Sequence, residues 1–281
     1  MNYSESAIVF SCSGESLVGI LAQPAVANKT GVLIVVGGPQ YRVGSHRQFL
    51  LLSRALAAQG YPVMRFDYRG MGDSTGDLRG FEHISVDIGA AINSFLESSP
   101  GVERVVLWGL CDAASASLLY LDATSDQRVA GLILLNPWVR SEASLAKTHV
   151  KHYYGQRLFQ ADFWKKLLSG HLNIGRALAE LSSKIGLATT QVNAKPVAVF
   201  QERMERSLKN FNGQVLLILS SNDYTAKEFL EYAAYSEVWC GFLCSGSLTR
   251  HDTAGADHTF SSQYWRETVE NATVHWLMRY E

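Results

Sequence analysis

Val105-Val106-Leu107-Trp108-Gly109-Leu110-Cys111-Asp112-Ala113-Ala114-Ser115-Ala116-Ser117 is the stretch on which the reading of this 281-residue chain turns. Val105–Trp108 is a short apolar run of the kind that forms a buried strand. It runs straight into Gly109–Ala113, after which small residues through Ser117 open a helix. A strand, a sharp turn and a helix are thus written around Cys111. In a turn that tight the neighbouring side chains collide unless they are small, and Gly109 and Ala113 meet that condition. The helix starts directly behind Cys111, so its free N–H groups and positive dipole end face the sulfur and favour a thiolate.

The same alternation extends on both sides. Ala7–Phe10 and Leu17–Leu21 predict an opening antiparallel hairpin with Gly14 in its turn. Val32–Val36 reads as a buried strand that ends at Gly37-Gly38-Pro39. Phe49–Gln59, closed by Gly60, predicts a helix. Val63–Phe66 follows as a strand, and Ile84, Ile88, Ile92 and Phe95 recur at helical spacing up to Pro100. Leu132–Leu135 is the next strand and ends at Asn136-Pro137; Val215–Leu219 is another and ends at Ser220-Ser221-Asn222-Asp223. Trp265, Val269, Ala272 and Trp276 share one face of a last helix. Strands alternating with helices predict an α/β fold around a mostly parallel sheet. From Arg140 to Lys209 the strand pattern stops, and only helix-like stretches remain around Phe163–Leu168 and Ile174–Leu181. The expected organisation is a core of residues 1–139 and 210–281 with a helical cap inserted at 140–209.

Composition bounds the function. Hydrophobic residues make up 47% and charged residues 18%, which suits a folded protein with a sizeable core, and a formal net charge of -1 gives no bias toward nucleic acid. Met1–Phe10 has no basic start and no long apolar run, and no stretch is apolar for the length needed to span a bilayer, so a soluble cytoplasmic protein is expected. Its four cysteines, Cys12, Cys111, Cys240 and Cys244, read as reduced thiols. Cys240 and Cys244 lack a second ligand pair, so no metal and no cofactor is expected, and both read as buried or incidental thiols.

These features resemble the α/β-hydrolase superfamily over nearly the whole chain. Three segments carry a narrower likeness: Val35-Val36-Gly37-Gly38-Pro39-Gln40-Tyr41-Arg42-Val43-Gly44-Ser45-His46-Arg47, Phe66-Asp67-Tyr68-Arg69-Gly70-Met71-Gly72-Asp73-Ser74, and Gly109-Leu110-Cys111-Asp112-Ala113. Together they resemble the exosortase A system-associated hydrolase 1 family. That resemblance implies a bacterial setting beside a protein-sorting and exopolysaccharide gene cluster, and it implies no particular substrate. Arg69 and Asp73 are expected to tie the second segment down as structure.

In the superfamily an acid and then a histidine follow the nucleophile. Asp223, just past a strand end, and His258, in the small-residue loop Ala254–Phe260, fill those places; His251 belongs to a strand. An alternative acid position, after the preceding strand, holds Asn136. Pro39 has no N–H to offer, so the expected oxyanion donors are the backbone N–H of Gln40, or of Tyr41, with that of Asp112. The Asp112 side chain is expected to point away from the oxyanion.

The reading is therefore a hydrolase that cleaves an ester or thioester through an acyl-cysteine, with Cys111 as nucleophile, His258 as base and Asp223 as acid. An acyltransferase on the same thiol is the first alternative, and a non-catalytic interaction module is the second. Between Ser141 and Lys209 eleven Lys/Arg stand against five Asp/Glu, leaving this segment near +6 and the remainder near -7. Such a lid suits an anionic acyl substrate, an anionic membrane surface or a polysaccharide-machinery contact, although a solvated helix face explains the charges as well. Tyr41, Arg42, His46 and Arg47 beside the oxyanion loop, with His152 and Tyr153 of the cap, are the candidate substrate contacts.

Overall fold

The computed structural model describes residues 2–38, 40–140 and 199–280. The first two strands, β1 (Tyr3–Cys12) and β2 (Glu15–Pro24), form the expected antiparallel hairpin. Ser13 and Gly14 make its turn, with φ of 51° and 87°. Two consecutive positive φ values are what a two-residue hairpin turn needs to match the twist of its strands, and glycine adopts one of them without strain.

The elements that follow are β3 (Thr30–Val35), α1 (Gln48–Ala58), β4 (Val63–Phe66), α2 (Ser85–Ser98), β5 (Arg104–Leu110), α3 (Asp112–Thr124) and β6 (Val129–Leu135). After the undescribed segment come α4 (Phe200–Asn210), β7 (Gln214–Ser220), α5 (Tyr224–Tyr235), α6 (Glu237–Leu243), β8 (Leu248–Thr253) and α7 (Gln263–Tyr280). The eight strands make one sheet in the order β1-β2-β4-β3-β5-β6-β7-β8. β2 pairs antiparallel with β4, and every pair from β4 through β8 is parallel.

Helices cover both faces of the parallel strands, and this explains why the strands read as unbroken apolar runs rather than as alternating ones. Leu33, Val35, Val105, Leu107, Leu132, Leu134, Val215 and Leu217 face a cluster with residues of α2, α3, α4 and α5. Their neighbours Val32, Ile34, Val106, Trp108, Ile133, Leu135, Leu216 and Ile218 face Phe49, Leu52 and Leu56 of α1 and Trp276 and Leu277 of α7. The period of two thus survives as an assignment to opposite cores.

The insertion expected over 140–209 lies outside the described residues through 198, as do the helix-like stretches Phe163–Leu168 and Ile174–Leu181. Its last part, α4, packs on α3. Arg203 Nε and Arg206 Nε lie 3.1 and 2.6 Å from the Asp122 carboxylate, and Gln201 Nε2 donates to Val139 O at 3.1 Å. Met1–Val139 and Ala198–Glu281 accordingly form one compact unit.

The loop after β4 is tied down by both residues that the sequence singles out, each through a partner the sequence does not name. Arg69 does tie it down, but to Asp87 of α2, with Nε–Oδ1 and Nη2–Oδ2 both at 2.8 Å and its own N–H donating to Oδ1 at 3.0 Å. Asp73 instead receives Arg42 Nη2 at 2.5 Å. Both members of the Arg69–Asp87 pair are buried, so removing one partner leaves the other charge unsolvated. Asp87→Ala should therefore lower unfolding free energy by about 3–5 kcal/mol in urea titrations.

Candidate active site

β5 ends at Leu110 and α3 begins at Asp112, so Cys111 alone makes the turn, at φ 62° and ψ -123°. Its N–H donates to Leu135 O at 2.8 Å, while its carbonyl accepts from Ala114 N and Trp138 N at 3.1 and 3.2 Å. Gly109 permits the close approach, because a Cβ there would lie 2.6 Å from the backbone C and O of Ala113. Gly37, at the end of β3, does the same from the other side: a Cβ would lie 2.9 Å from Leu110 O and Ala113 N. The elbow and the β3 loop therefore lie flush against one another.

Asp223 precedes α5 and caps it, its carboxylate accepting from Thr225 N and Ala226 N at 3.1 Å each. Its Oδ2 lies 2.8 Å from His258 Nδ1. Burial pushes this carboxyl up, but the His258 bond and charge and the two capping amides outweigh burial and leave it below the ordinary aspartate value. His258 is pushed up to about 10, first by its bond to Asp223 and next by a side-chain hydrogen bond with Cys111, against burial. With Nδ1 engaged by Asp223, Nε2 is the nitrogen left for the sulfur. The three residues named from the sequence are thus brought together as acid, imidazole and thiol, and the imidazole is cationic at neutral pH. A cation beside the sulfur is the environment in which a thiol becomes a nucleophile.

The His258 loop is held by a residue whose role the sequence does not announce. Asn136, fully buried and at φ 43°, donates from Nδ2 to Ser220 Oγ at 2.7 Å and to His258 O at 3.3 Å, and accepts Ser220 N–H at 2.9 Å. It joins the ends of β6 and β7 to the backbone of the histidine. Asp257 shapes the same loop by accepting Thr259 N–H and Ser261 N–H, each at 3.1 Å.

One expectation at the oxyanion loop changes, that for the Asp112 side chain. Gly38 is the loop residue whose N–H reaches the elbow, donating to Asp112 Oδ2 at 2.9 Å. The side chain of Gln40 turns back on its own loop and accepts Ser45 N–H at 3.1 Å. The Asp112 side chain, expected to point away, lies against Gly37 and Gly38: a Cβ on Gly37 would sit 2.2 Å from Oδ1. A side chain at 37 would leave no room for that carboxyl, whereas at 38 the constraint is the positive φ of 60° rather than space. The signal for it was the Gly-Gly pair, legible only once the elbow and the loop are known to touch.

Of the substrate candidates, Arg42 is committed to structure. Its N–H donates to Asp67 Oδ1 at 2.6 Å and its guanidinium pairs with both Asp67 and Asp73. Tyr41, His46 and Arg47 are exposed on the loop between β3 and α1, the last two with positive φ where the chain enters α1. His152 and Tyr153 lie outside the described residues. All four cysteines are free, and Cys240 and Cys244 are exposed rather than buried. Among the described residues no helix is long and apolar enough to cross a membrane, and no group of His, Cys, Asp and Glu is arranged to hold a metal ion.

Solved structures that resemble this one include several hydrolases. Esterase Pf2001 of Pyrococcus furiosus aligns with a TM-score of 0.65 at 14% identity, over 99% of this chain and 93% of its own. Est1E of Butyrivibrio proteoclasticus, with ferulic acid bound, aligns at 0.63 and 14%, over 98% and 99%. The α/β hydrolase GrgF of Penicillium sp. sh18 aligns at 0.62 and 17%, over 99% of both chains. At such identities the likeness is one of fold. No curated protein sequence matches the chain. Residues 28–225, which hold the elbow and Asp223 but stop short of His258, match the family model described as serine aminopeptidase, S33. With that match over most of its length, on an eight-stranded α/β-hydrolase sheet, the chain is an α/β-hydrolase enzyme and belongs to the serine aminopeptidase S33 family, with cysteine at its elbow.

Proposed function

We propose that this enzyme hydrolyses a carboxylic ester or thioester through an acyl-cysteine on Cys111. The observation that carries the reading is the imidazole of His258, bonded through Nδ1 to Asp223 at 2.8 Å and on its other side to the elbow thiol. The Cys111 thiolate attacks the carbonyl carbon, and the oxygen gathers the charge before the backbone N–H groups of Asp112 and Gly38, the latter in place of Gln40. His258 then gives its Nε2 proton to the departing alkoxide or thiolate, leaving acyl-Cys111 and a neutral imidazole. That imidazole takes a proton from water, hydroxide attacks the thioester, and the thiolate leaves as the carboxylate product forms. Asp223 keeps the proton on Nδ1 and stabilises the cation at both steps.

The ester class is favoured by the esterases that share the fold, and the thioester class by the sulfur nucleophile. Of the candidates on the β3–α1 loop, Arg47 and His46 are left to read an anionic substrate, since Arg42 is taken by Asp67 and Asp73. Within this proposal, the likeness of the three motifs to the exosortase A system-associated hydrolase 1 family supports a substrate in exopolysaccharide export or protein sorting. Deleting the gene should then impair one of those processes, and normal export and sorting in the deletion strain would argue against that setting.

On p-nitrophenyl acetate and acetyl-CoA, Cys111→Ala should lose at least about a thousandfold in kcat/KM and the acetyl adduct seen by intact mass. Turnover that survives the substitution would refute the mechanism, while an adduct discharged only by added alcohols or glycans would make the enzyme a transferase.

His258 is cationic below about 10, and only the cation can protonate the leaving group. Acylation measured on acetyl-CoA should therefore fall as pH rises through about 10. The sign for stability is the same: the histidine's raised value supports the fold fully below the ordinary 6.5 and loses that support as pH rises through about 10. The depressed value of Asp223 acts at the other end, its support being lost as pH falls through that lowered value. Asn136→Ala should lower kcat about tenfold or more with little change in KM, because a misplaced base costs rate rather than binding; equal losses in both would assign Asn136 to substrate binding instead.

A further inference from the structure

Asp112 follows the nucleophile directly, and its carboxyl is badly served where it lies. Oδ2 accepts Gly38 N–H at 2.9 Å, a residue 74 positions away in the chain. Oδ1 is buried and has no hydrogen-bond partner among the described residues. The backbone N–H groups of Asp112 and Ala113 also favour its anion. The Gly38 donor that it occupies and the Asp112 amide beside it are the two that the proposed reaction requires for the substrate's oxygen.

We propose that the Asp112 side chain is an internal occupant of the oxyanion hole, holding the seat of the carbonyl oxygen and setting the threshold for acylation of Cys111. This inference rests on the reading of Cys111 as nucleophile. A substrate must displace the carboxyl to reach the Gly38 and Asp112 amides, and the orphaned Oδ1 makes that displacement easier than for a fully bonded side chain. A mere cap of α3 would need no partner on the β3 loop.

The grip depends on charge, because an amide holds a carboxylate more strongly than a neutral carboxyl. Three titratable groups face Asp112. The His258 imidazole, from the loop after β8, favours its anion. The Tyr68 hydroxyl, from the loop after β4, is pushed up to about 12 by burial and by the charges of Asp112 and Asp87. Cys111 adjoins it in the chain. Burial itself pushes Asp112 above the ordinary aspartate value, against its three amide bonds. The plug therefore loosens toward acid and tightens as the pH rises.

The test is the rate of Cys111 acylation by p-nitrophenyl acetate, read as the p-nitrophenol burst and the acetyl adduct, in wild type, Asp112→Ala and Asp112→Asn. With the seat emptied, Asp112→Ala should acylate about ten- to a hundredfold faster at neutral pH, a gain below the roughly hundred- to thousandfold worth of one oxyanion donor because the wild-type carboxyl is only partly bonded. Asp112→Asn, neutral but isosteric, should fall between. The ratio of Asp112→Ala to wild type should grow from mildly acidic to neutral pH. If both variants melt like wild type and acylate no faster, or if the ratio does not grow with pH, the plug is refuted and the carboxyl is a staple between elbow and loop. An adduct that still forms in Cys111→Ala would instead bring down the nucleophile reading and this inference with it.

Discussion

A residue with a Cβ held at φ 62° and ψ -123° lies outside the regions that L-amino acids favour, at a cost of about 1–3 kcal/mol. Cys111 stays there because its surroundings leave no alternative. Its N–H is bound to Leu135 O in the neighbouring strand, and its carbonyl accepts from α3 and from Trp138 beyond β6. Gly109 and Gly37 remove the side chains that would hold the turn open. The strain is offset by one of the most buried parts of the sheet, where Trp108, Leu110, Ile133 and Leu135 pack on one side and Leu107 and Leu134 on the other. What results is a sulfur lifted clear of the sheet at the start of a helix, which neither an ordinary strand end nor a helix interior could present.

The rest of the site is arranged around that sulfur by strand ends. Asp223 follows β7 and His258 follows β8, two strands and three strands from the elbow. Parallel strands end on the same side, so residues more than a hundred positions apart arrive together. Strand ends alone set position to within a few ångströms, and the remainder is done by side-chain amide bonds. Asn136 bridges β6, β7 and the backbone of His258, and the Asp223 carboxylate, which orients the imidazole, is itself fixed by capping α5.

The central strands were legible because burial on both faces leaves one composition, apolar and β-rich, and the turns were legible because Gly14, Gly60 and the elbow demand particular backbone. Val63–Phe66 agrees to the residue, and Leu132–Leu135 is short of its true start at Val129. The extent of the hairpin was harder, since β1 is an edge strand whose residues alternate between half-buried and exposed and mix polar with apolar. Helix α4 reads as part of the insertion because its polar composition says nothing of the Asp122 carboxylate waiting on α3. The three residues proposed as acid, base and nucleophile could be named from chain order and strand ends. Arg42 and Asp112 could not be placed, because their orientations are decided by Asp67 and by Gly37 and Gly38, contacts that no local pattern encodes.

Those contacts also bear on why sulfur and a neighbouring carboxyl can share one elbow. The site holds one firm anion, Asp223, and one cation, His258, with a thiol and the Asp112 carboxyl competing for the same positive charge. Under the acyl-cysteine proposal the negative charge belongs on sulfur in the state that reacts, while at rest the Gly38 amide holds the Asp112 carboxyl. An alkoxide nucleophile would add its own demand on His258, which must be neutral to generate it, whereas a thiolate is content beside an imidazolium. Under the acyl-cysteine proposal, cysteine at position 111 lets the histidine remain charged at rest, and that charge adds to the backbone amides that favour the Asp112 anion against burial.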